Sequence, residues 1–239
     1  TEILFGARPQ APSVEEQAEV YASIGHTIGG PVTIRTWDAG GDKPLAFLPS
    51  EHEANPALGE RGIRTMRRVR GLFADQLRAI ALAARQTPLR VMFPMVTTPD
   101  ELRWARGVLD EVLADVGPVD LPVGIMVEVP AAALGASEFA GLVDFVSVGT
   151  NDLAQYTLAA DRTNAAVAGL LPPDAPSLFT LIGLTRAGLP GIPLAVCGDM
   201  AGDPSATARL LALGVTELSV SPPRVPTIKQ AVRHVGASL

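Results

Sequence analysis

A chain of 239 residues with 47% hydrophobic content is long enough to bury a large core, as one large domain or two small ones. A net charge of −6 argues against nucleic acid as a partner, and no apolar run approaches the ~18 residues of a membrane span, which excludes insertion of an apolar helix. One cysteine excludes an internal disulfide framework and agrees with a reducing, cytoplasmic setting.

The chain begins at Thr1 inside an apolar run and reads as an excised or processed piece of something longer. That run, residues 3–5, is expected to be the first strand. Ser13-Val14-Glu15-Glu16 then has the spacing of a helix capping box. A second strand is expected at 32–35 and a weak one near 57–59, followed by a long helix over 64–85 with a possible interruption at Gly71. A strand at 89–93 leads to Thr98-Pro99-Asp100-Glu101, a capping box with proline at the first helical position. Leu102, Ala105, Leu109 and Val112 mark one face of that helix. Further strands are expected at 123–127, 145–148, 194–197 and 218–220, and Asp203-Pro204 opens a helix that stops at Gly214. The strand candidates are continuous apolar runs without polar alternation, as expected when helices cover both faces of a sheet.

Strands alternating with helices about eight times, over a length near the ~250 residues typical of the fold, predict an α/β chain folded as a (β/α)8 TIM barrel. Residues 1–239 are expected to form this single domain. An open doubly wound sheet is the weaker alternative, because no glycine-rich phosphate fingerprint follows the first strand.

Active sites of such barrels gather at the C-terminal ends of the strands. Those ends carry Arg8, then Arg35-Thr36-Trp37-Asp38, Arg61 and Arg64, Glu128, Gly149-Thr150-Asn151-Asp152, and Cys197 within Val196-Cys197-Gly198-Asp199-Met200-Ala201-Gly202-Asp203. Glu128 and Asp152 are hard oxygen ligands that suit Mg²⁺ with positions left open to substrate and water. Asp152 reads equally well as a helix cap, and Cys197 as a small buried hydrophobe. Arg8, Arg35, Arg61 and Arg162 are singly ordinary surface arginines. Together, beside a metal site, they suit a small, highly anionic ligand such as a phosphorylated acid. The cations are nearly all arginine, so Lys43, one of only two lysines, stands out within Gly40-Gly41-Asp42-Lys43.

Several long segments, in order, carry a resemblance. They are Arg35-Thr36-Trp37-Asp38-Ala39-Gly40-Gly41-Asp42-Lys43, Asn55-Pro56-Ala57-Leu58-Gly59-Glu60-Arg61-Gly62-Ile63-Arg64, Met92-Phe93-Pro94-Met95 and Met126-Val127-Glu128-Val129-Pro130-Ala131-Ala132. The run from Phe145 to Arg162 and the Cys197 segment complete the set. The chain resembles the C-terminal phosphoenolpyruvate-binding barrel of the phosphoenolpyruvate–protein phosphotransferases, Enzyme I of the bacterial sugar phosphotransferase system. Pyruvate phosphate dikinase and phosphoenolpyruvate synthase share that barrel, but the 156–162 stretch and Met200-Ala201-Gly202-Asp203 look like the sugar-system enzyme.

The resemblance implies Mg²⁺ as cofactor, with Glu128 and Asp152 as its ligands. It implies that Arg8, Arg35 and Arg61 bind phosphate, that Lys43 serves the phosphoryl group, and that Arg162 holds the substrate carboxylate. Asn151 and Asp152 fall at substrate-contacting positions, and Cys197 at that of the proton donor. Asp199 stands where glutamate is more usual, and Ala154 where threonine is. The implied reaction moves the phosphoryl group of phosphoenolpyruvate to a histidine and releases pyruvate. An unperturbed thiol, with a pKa near ~8.5, is mostly protonated at neutral pH and able to protonate the enolate carbon.

The acceptor histidine of the family lies on a separate N-terminal domain in a segment like Gly-Gly-x-Thr-Ser-His-Ala, and His26, His52 and His234 have no such surroundings. The implied partners are therefore that phosphohistidine domain and, through it, a histidine-containing phosphocarrier protein. A homodimer is also implied. Two rivals remain: a Mg²⁺-dependent lyase of the citrate-lyase or aldolase type, and a regulatory or dimerisation module without activity.

Overall fold

A computed structural model describes residues 1–48 and 51–236. They divide into two compact units, Thr1–Ile125 and Met126–Leu239.

The first unit runs α1 (Glu2–Phe5), α2 (Val14–Ile28), β1 (Val32–Arg35), α3 (Ile63–Arg68), α4 (Arg70–Ala84), β2 (Leu89–Phe93) and α5 (Pro99–Val116) into β3 (Val123–Val127), within which the division falls. The strands are parallel, with Val32 opposite Leu89, Arg35 opposite Met92, and Val91 opposite Val123. Helix α4 packs on α2 on one side and α5 on the other. Its buried face, Phe73, Leu77 and Ile80, recurs at helical spacing. Phe73 stacks on Trp104 of α5 at 5.3 Å and tilts against Phe93 of β2 at 5.8 Å, joining helix layer to sheet. Both expected capping boxes form: Ser13 with Glu16 at the start of α2, and Thr98 with Glu101 at the start of α5.

The second unit contains α6 (Pro130–Leu134), β4 (Phe145–Gly149), α7 (Thr150–Leu158), α8 (Pro176–Gly188), β5 (Leu194–Cys197), α9 (Pro204–Ala212), β6 (Glu217–Ser219) and α10 (Val225–Gly236). Here too the strands are parallel, with Gly149 opposite Cys197 and Cys197 opposite Ser219. All five residues of β4 are buried, which explains its lack of polar alternation. The chain is thus an α/β fold of parallel strands joined through helices.

Four expectations for local structure need correction. Residues 3–5 lie in a helix, closed by Leu4 and Phe5 N–H groups donating to the Thr1 carbonyl. Only Phe5 is buried there, while Ile3 is fully exposed, so no sheet claims the run. The weak strand near 57–59 is a single 3₁₀ turn over Pro56–Leu58. The long helix over 64–85 breaks at Val69, not Gly71. Thr65 Oγ1 donates to the Ala39 carbonyl, tying α3 to the loop after β1, while α4 follows its packing on α2. The last strand is Glu217–Ser219, and its end residues are exposed where both faces were expected to be covered.

Candidate functional site

In the first unit the chemistry gathers just beyond β1. Arg35 ends the strand, and Thr36, Trp37, Asp38 and Ala39 follow it wholly buried. Asp38 is the hub. Its Oδ2 accepts from Arg35 Nη1 at 3.2 Å, Lys43 Nζ at 2.8 Å and Arg61 Nη2 at 3.0 Å, and its Oδ1 accepts from Arg61 Nε at 3.1 Å. Lys43 reaches it through a turn in which Gly40 bridges to both Lys43 and Arg61.

Two more carboxylates flank the hub. Glu2 Oε2 accepts from Arg35 Nη2 at 2.9 Å, and Glu2 Oε1 accepts from the Asp38 backbone N–H at 2.7 Å. Asp42 lies 3.2 Å from Arg61 Nη1. Burial works to raise the Asp38 carboxyl, but Arg35, Arg61 and Lys43 outweigh it and hold it well below the usual range. Burial likewise opposes the charge on Glu2, yet Arg35 and the chain's amino terminus bring its carboxyl down to about 2. At the more open Asp42, burial prevails over Arg61 and Lys43 and pushes the carboxyl up.

Of the four residues of this unit expected to bind substrate, Arg35, Lys43 and Arg61 are therefore brought together. Arg61 is fully buried, whereas Arg35 and Lys43 each keep about a quarter of their side chain exposed. Arg8 stands apart: it pairs with Glu16 at 3.1 Å and lies 5.5 Å from the Phe5 ring centre. Sequence reasoning placed Asp38 at a strand end but gave it no role, and it passed over Glu2 entirely. The signal for Asp38 was its position three residues after an arginine at a strand end, in a run otherwise destined for burial.

In the second unit the residues that follow three strand ends converge. Glu128 comes directly after β3, is 1% exposed, and leads into Val129-Pro130, where Pro130 starts α6. Gly149 at the end of β4 makes room for it, since a Cβ there would stand 2.9 Å from Glu128 Oε2. Asp152, 5% exposed, lies in the first turn of α7, where a carboxylate is favoured by the helix dipole. Its Oδ1 is 3.6 Å from Arg162 Nη2. Arg162 follows the left-handed Ala159 that ends α7, and its backbone N–H donates to Gln155 Oε1 at 3.2 Å.

Cys197 ends β5 partly exposed, and its thiol donates to the Val148 carbonyl at 3.5 Å. Thr150 Oγ1 donates to the Cys197 carbonyl at 2.7 Å, and Asp199 N–H donates to Asn151 Oδ1 at 2.9 Å. Gly198 joins them with φ +92°, and a Cβ there would meet Thr150 Oγ1 at 2.4 Å. Only glycine satisfies both the left-handed backbone and that approach. A cavity of about 180 Å³ adjoins, lined by Asn151, Arg162 and Asp199 on its polar side and by Ala154, Leu171 and Met200 on its apolar side. Glu128, Asn151, Asp152, Arg162 and Cys197 thus all fall at the ends of neighbouring elements of this unit. Among the described residues no three His, Cys, Asp or Glu side chains are grouped to hold a metal ion.

The chain is a parallel α/β fold with buried carboxylates and arginines after its strands. The fold resembles that of malate synthase from Haloferax volcanii, with a TM-score of 0.61 at 16% identity over 91% of this chain and 60% of that one. A citrate lyase from Burkholderia xenovorans is a more partial match, with a TM-score of 0.50 at 17% identity over 65% of this chain and 53% of that one. Both likenesses concern the fold alone.

The family is fixed by sequence. The model described as "PEP-utilising enzyme, PEP-binding domain" matches residues 1–237, and the chain belongs to that family. The multiphosphoryl transfer protein of Rhodobacter capsulatus is 44% identical over 98% of this chain and 29% of that protein. The phosphoenolpyruvate-protein phosphotransferases of Geobacillus stearothermophilus and Haloferax volcanii are each 44% identical, over 92% and 97% of this chain. The chain spans 40% and 43% of those two relatives.

Proposed function

We propose that the chain is the phosphoenolpyruvate-binding part of a phosphoenolpyruvate–protein phosphotransferase, serving the first step of a sugar phosphotransferase system. The observation that carries this reading is the convergence of Glu128, Asp152, Arg162, Asn151 and Cys197 after successive strands, in a chain of this family. The parallel α/β arrangement is taken as a (β/α)8 barrel of the phosphoenolpyruvate/pyruvate type, spanning residues 1–239.

Two buried carboxylates suit a hard cation that keeps water and substrate oxygens as further ligands. Glu128 and Asp152 would hold Mg²⁺. When bound, the ion would neutralise charge as it develops on the substrate's oxygens. Arg162, already beside Asp152, is the partner for the substrate carboxylate, with Asn151 beside it. The apolar side of the cavity, Ala154, Leu171 and Met200, would exclude water from the three-carbon end. Arg35, Lys43 and Arg61 are the ligands for the phosphoryl group, and Arg8, which pairs with exposed Glu16 and lies over the Phe5 ring, is the fourth cation of the set.

The phosphorus–oxygen bond breaks as a phosphorus–nitrogen bond forms to a histidine on a domain outside this chain. Cys197 then gives its proton to the methylene carbon of the enolate, yielding pyruvate, and regains a proton from water. The thiol donates to the Val148 carbonyl, which orients Sγ. The partners are that phosphohistidine domain, a histidine-containing phosphocarrier protein behind it, and a second copy of the chain in a homodimer, all in the cytoplasm.

The test supplies a family phosphohistidine domain in trans and follows pyruvate and phosphohistidine together. Equal amounts of both are expected, with no phosphohistidine on this chain alone. Cys197→Ala should keep phosphoenolpyruvate binding while pyruvate formation falls about 10²–10⁴-fold, the usual contribution of a general acid. Wild-type turnover in that variant would remove the acid role.

A further inference from the structure

We propose that Asp38 is a positioning residue: it gathers Arg35, Lys43 and Arg61 into one fan before any anion arrives. The inference rests on the reading of those three side chains as the phosphoryl-binding set.

The geometry is that of a hub. One carboxylate takes four donors from three cations at 2.8–3.2 Å, with both nitrogens of one edge of Arg61 engaged at once. Like Arg61, Asp38 has no exposed surface, while Arg35 and Lys43 remain about one quarter exposed. It is therefore placed to act through the cations and not by touching a ligand. A long arginine or lysine left loose must be immobilised at the moment of binding, and that cost is avoided when a fixed carboxylate already holds it.

Asp38 is held through its backbone and that of its two neighbours. Its own N–H donates to Glu2 Oε1 at 2.7 Å, and the preceding Trp37 N–H donates to Gln76 Oε1 at 3.0 Å. Gln76 is fixed in turn by a buried chain: its Nε2 donates to Tyr21 Oη at 3.4 Å, and Tyr21 Oη donates to Gln17 Oε1 at 3.2 Å. Gln17 Nε2 ends the chain on the Pro12 carbonyl at 3.2 Å. On the other side Ala39 O accepts from Gly62 N–H at 2.9 Å and from Thr65 Oγ1 at 2.9 Å. A network that deep, built from α2 and α4 to the loop after β1, exceeds what neutralising Arg61 alone requires. It fixes where the fan points.

The test titrates this chain, with Mg²⁺ present, using phosphoenolpyruvate, inorganic phosphate and pyruvate as separate probes. Asp38→Asn should weaken phosphoenolpyruvate and phosphate about 10- to 100-fold, the cost of ordering two or three long side chains at binding. Pyruvate, lacking a phosphoryl group, should bind as before, and Asp38→Glu should recover part of the loss. A folded Asp38→Asn protein with wild-type phosphate affinity overturns the proposal, and so does an equal loss for all three probes, which marks a general structural role. Failure of the wild-type chain to bind either phosphoryl probe overturns the underlying reading of the cations and this inference with it.

A second measurement needs no variant. Lys43 and Lys229 are the only lysines, so ¹⁵N-labelled ammonium signals can be assigned by inspection. A scalar coupling between Lys43 Nζ and the Asp38 carboxyl carbon, kept after phosphate is added, supports the proposal. A coupling absent or lost on adding phosphate contradicts it.

Discussion

Around Asp38, three carboxylates and three cations share one small volume, and their charges set how the protein responds to acid. Glu2 is brought down from 4.5 to about 2, and Asp38 lies below its ordinary 3.8. Both stay charged in the folded chain at pH values where the unfolded chain has taken up protons. Stability from them is therefore fully present above about pH 4.5 and is lost as pH falls toward 2. Urea midpoints measured across that window should drop steeply, and less steeply in Glu2→Gln. Equal slopes in the two proteins would contradict the pairing. The arginines were singled out as candidate anion ligands from their places after strands, and Lys43 only through the resemblance. The carboxylates that hold them were not, because Glu2 and Asp38 meet across 36 residues of sequence. Glu128 and Cys197 were singled out because each closes an apolar run, and Asp152 because it follows the strand end at Gly149.

At the scale of elements, helix starts were the most readable feature because capping is written in four consecutive residues. Thr98 accepts from Glu101 N–H at 3.4 Å, and Glu101 returns a bond to Thr98 N–H at 3.0 Å. Thr98→Ala should cost about 1 kcal/mol, measured by urea denaturation. No change would mean that the tertiary packing of α5 alone defines its start. The runs at 89–93, 123–127 and 194–197 became strands with the expected bounds, each mostly apolar and flanked by a clear break. Residues 3–5 misled because three apolar residues fit either a strand or one helical turn, and only packing decides. The break at Val69 was hidden likewise: Gly71 is the weaker helix former, but the tether from Thr65 to Ala39 fixes the break two residues earlier.

At the scale of the whole molecule, alternation of β and α runs was enough to give an α/β fold with parallel strands. The division into two compact units carried no linker or composition shift to announce it, since it falls inside β3. Family membership rests on long motifs in order, which is why fold likeness to malate synthase and citrate lyase does not revive a lyase reading. Everything proposed for the site turns on Mg²⁺-dependent binding of phosphoenolpyruvate. Calorimetric titration of this chain with phosphoenolpyruvate, with and without Mg²⁺, tests it most directly, with Glu128→Ala run alongside. Binding should strengthen with Mg²⁺ in the wild type and lose that dependence in Glu128→Ala. Binding indifferent to Mg²⁺ in the wild type, or an unchanged Mg²⁺ dependence in Glu128→Ala, would contradict it.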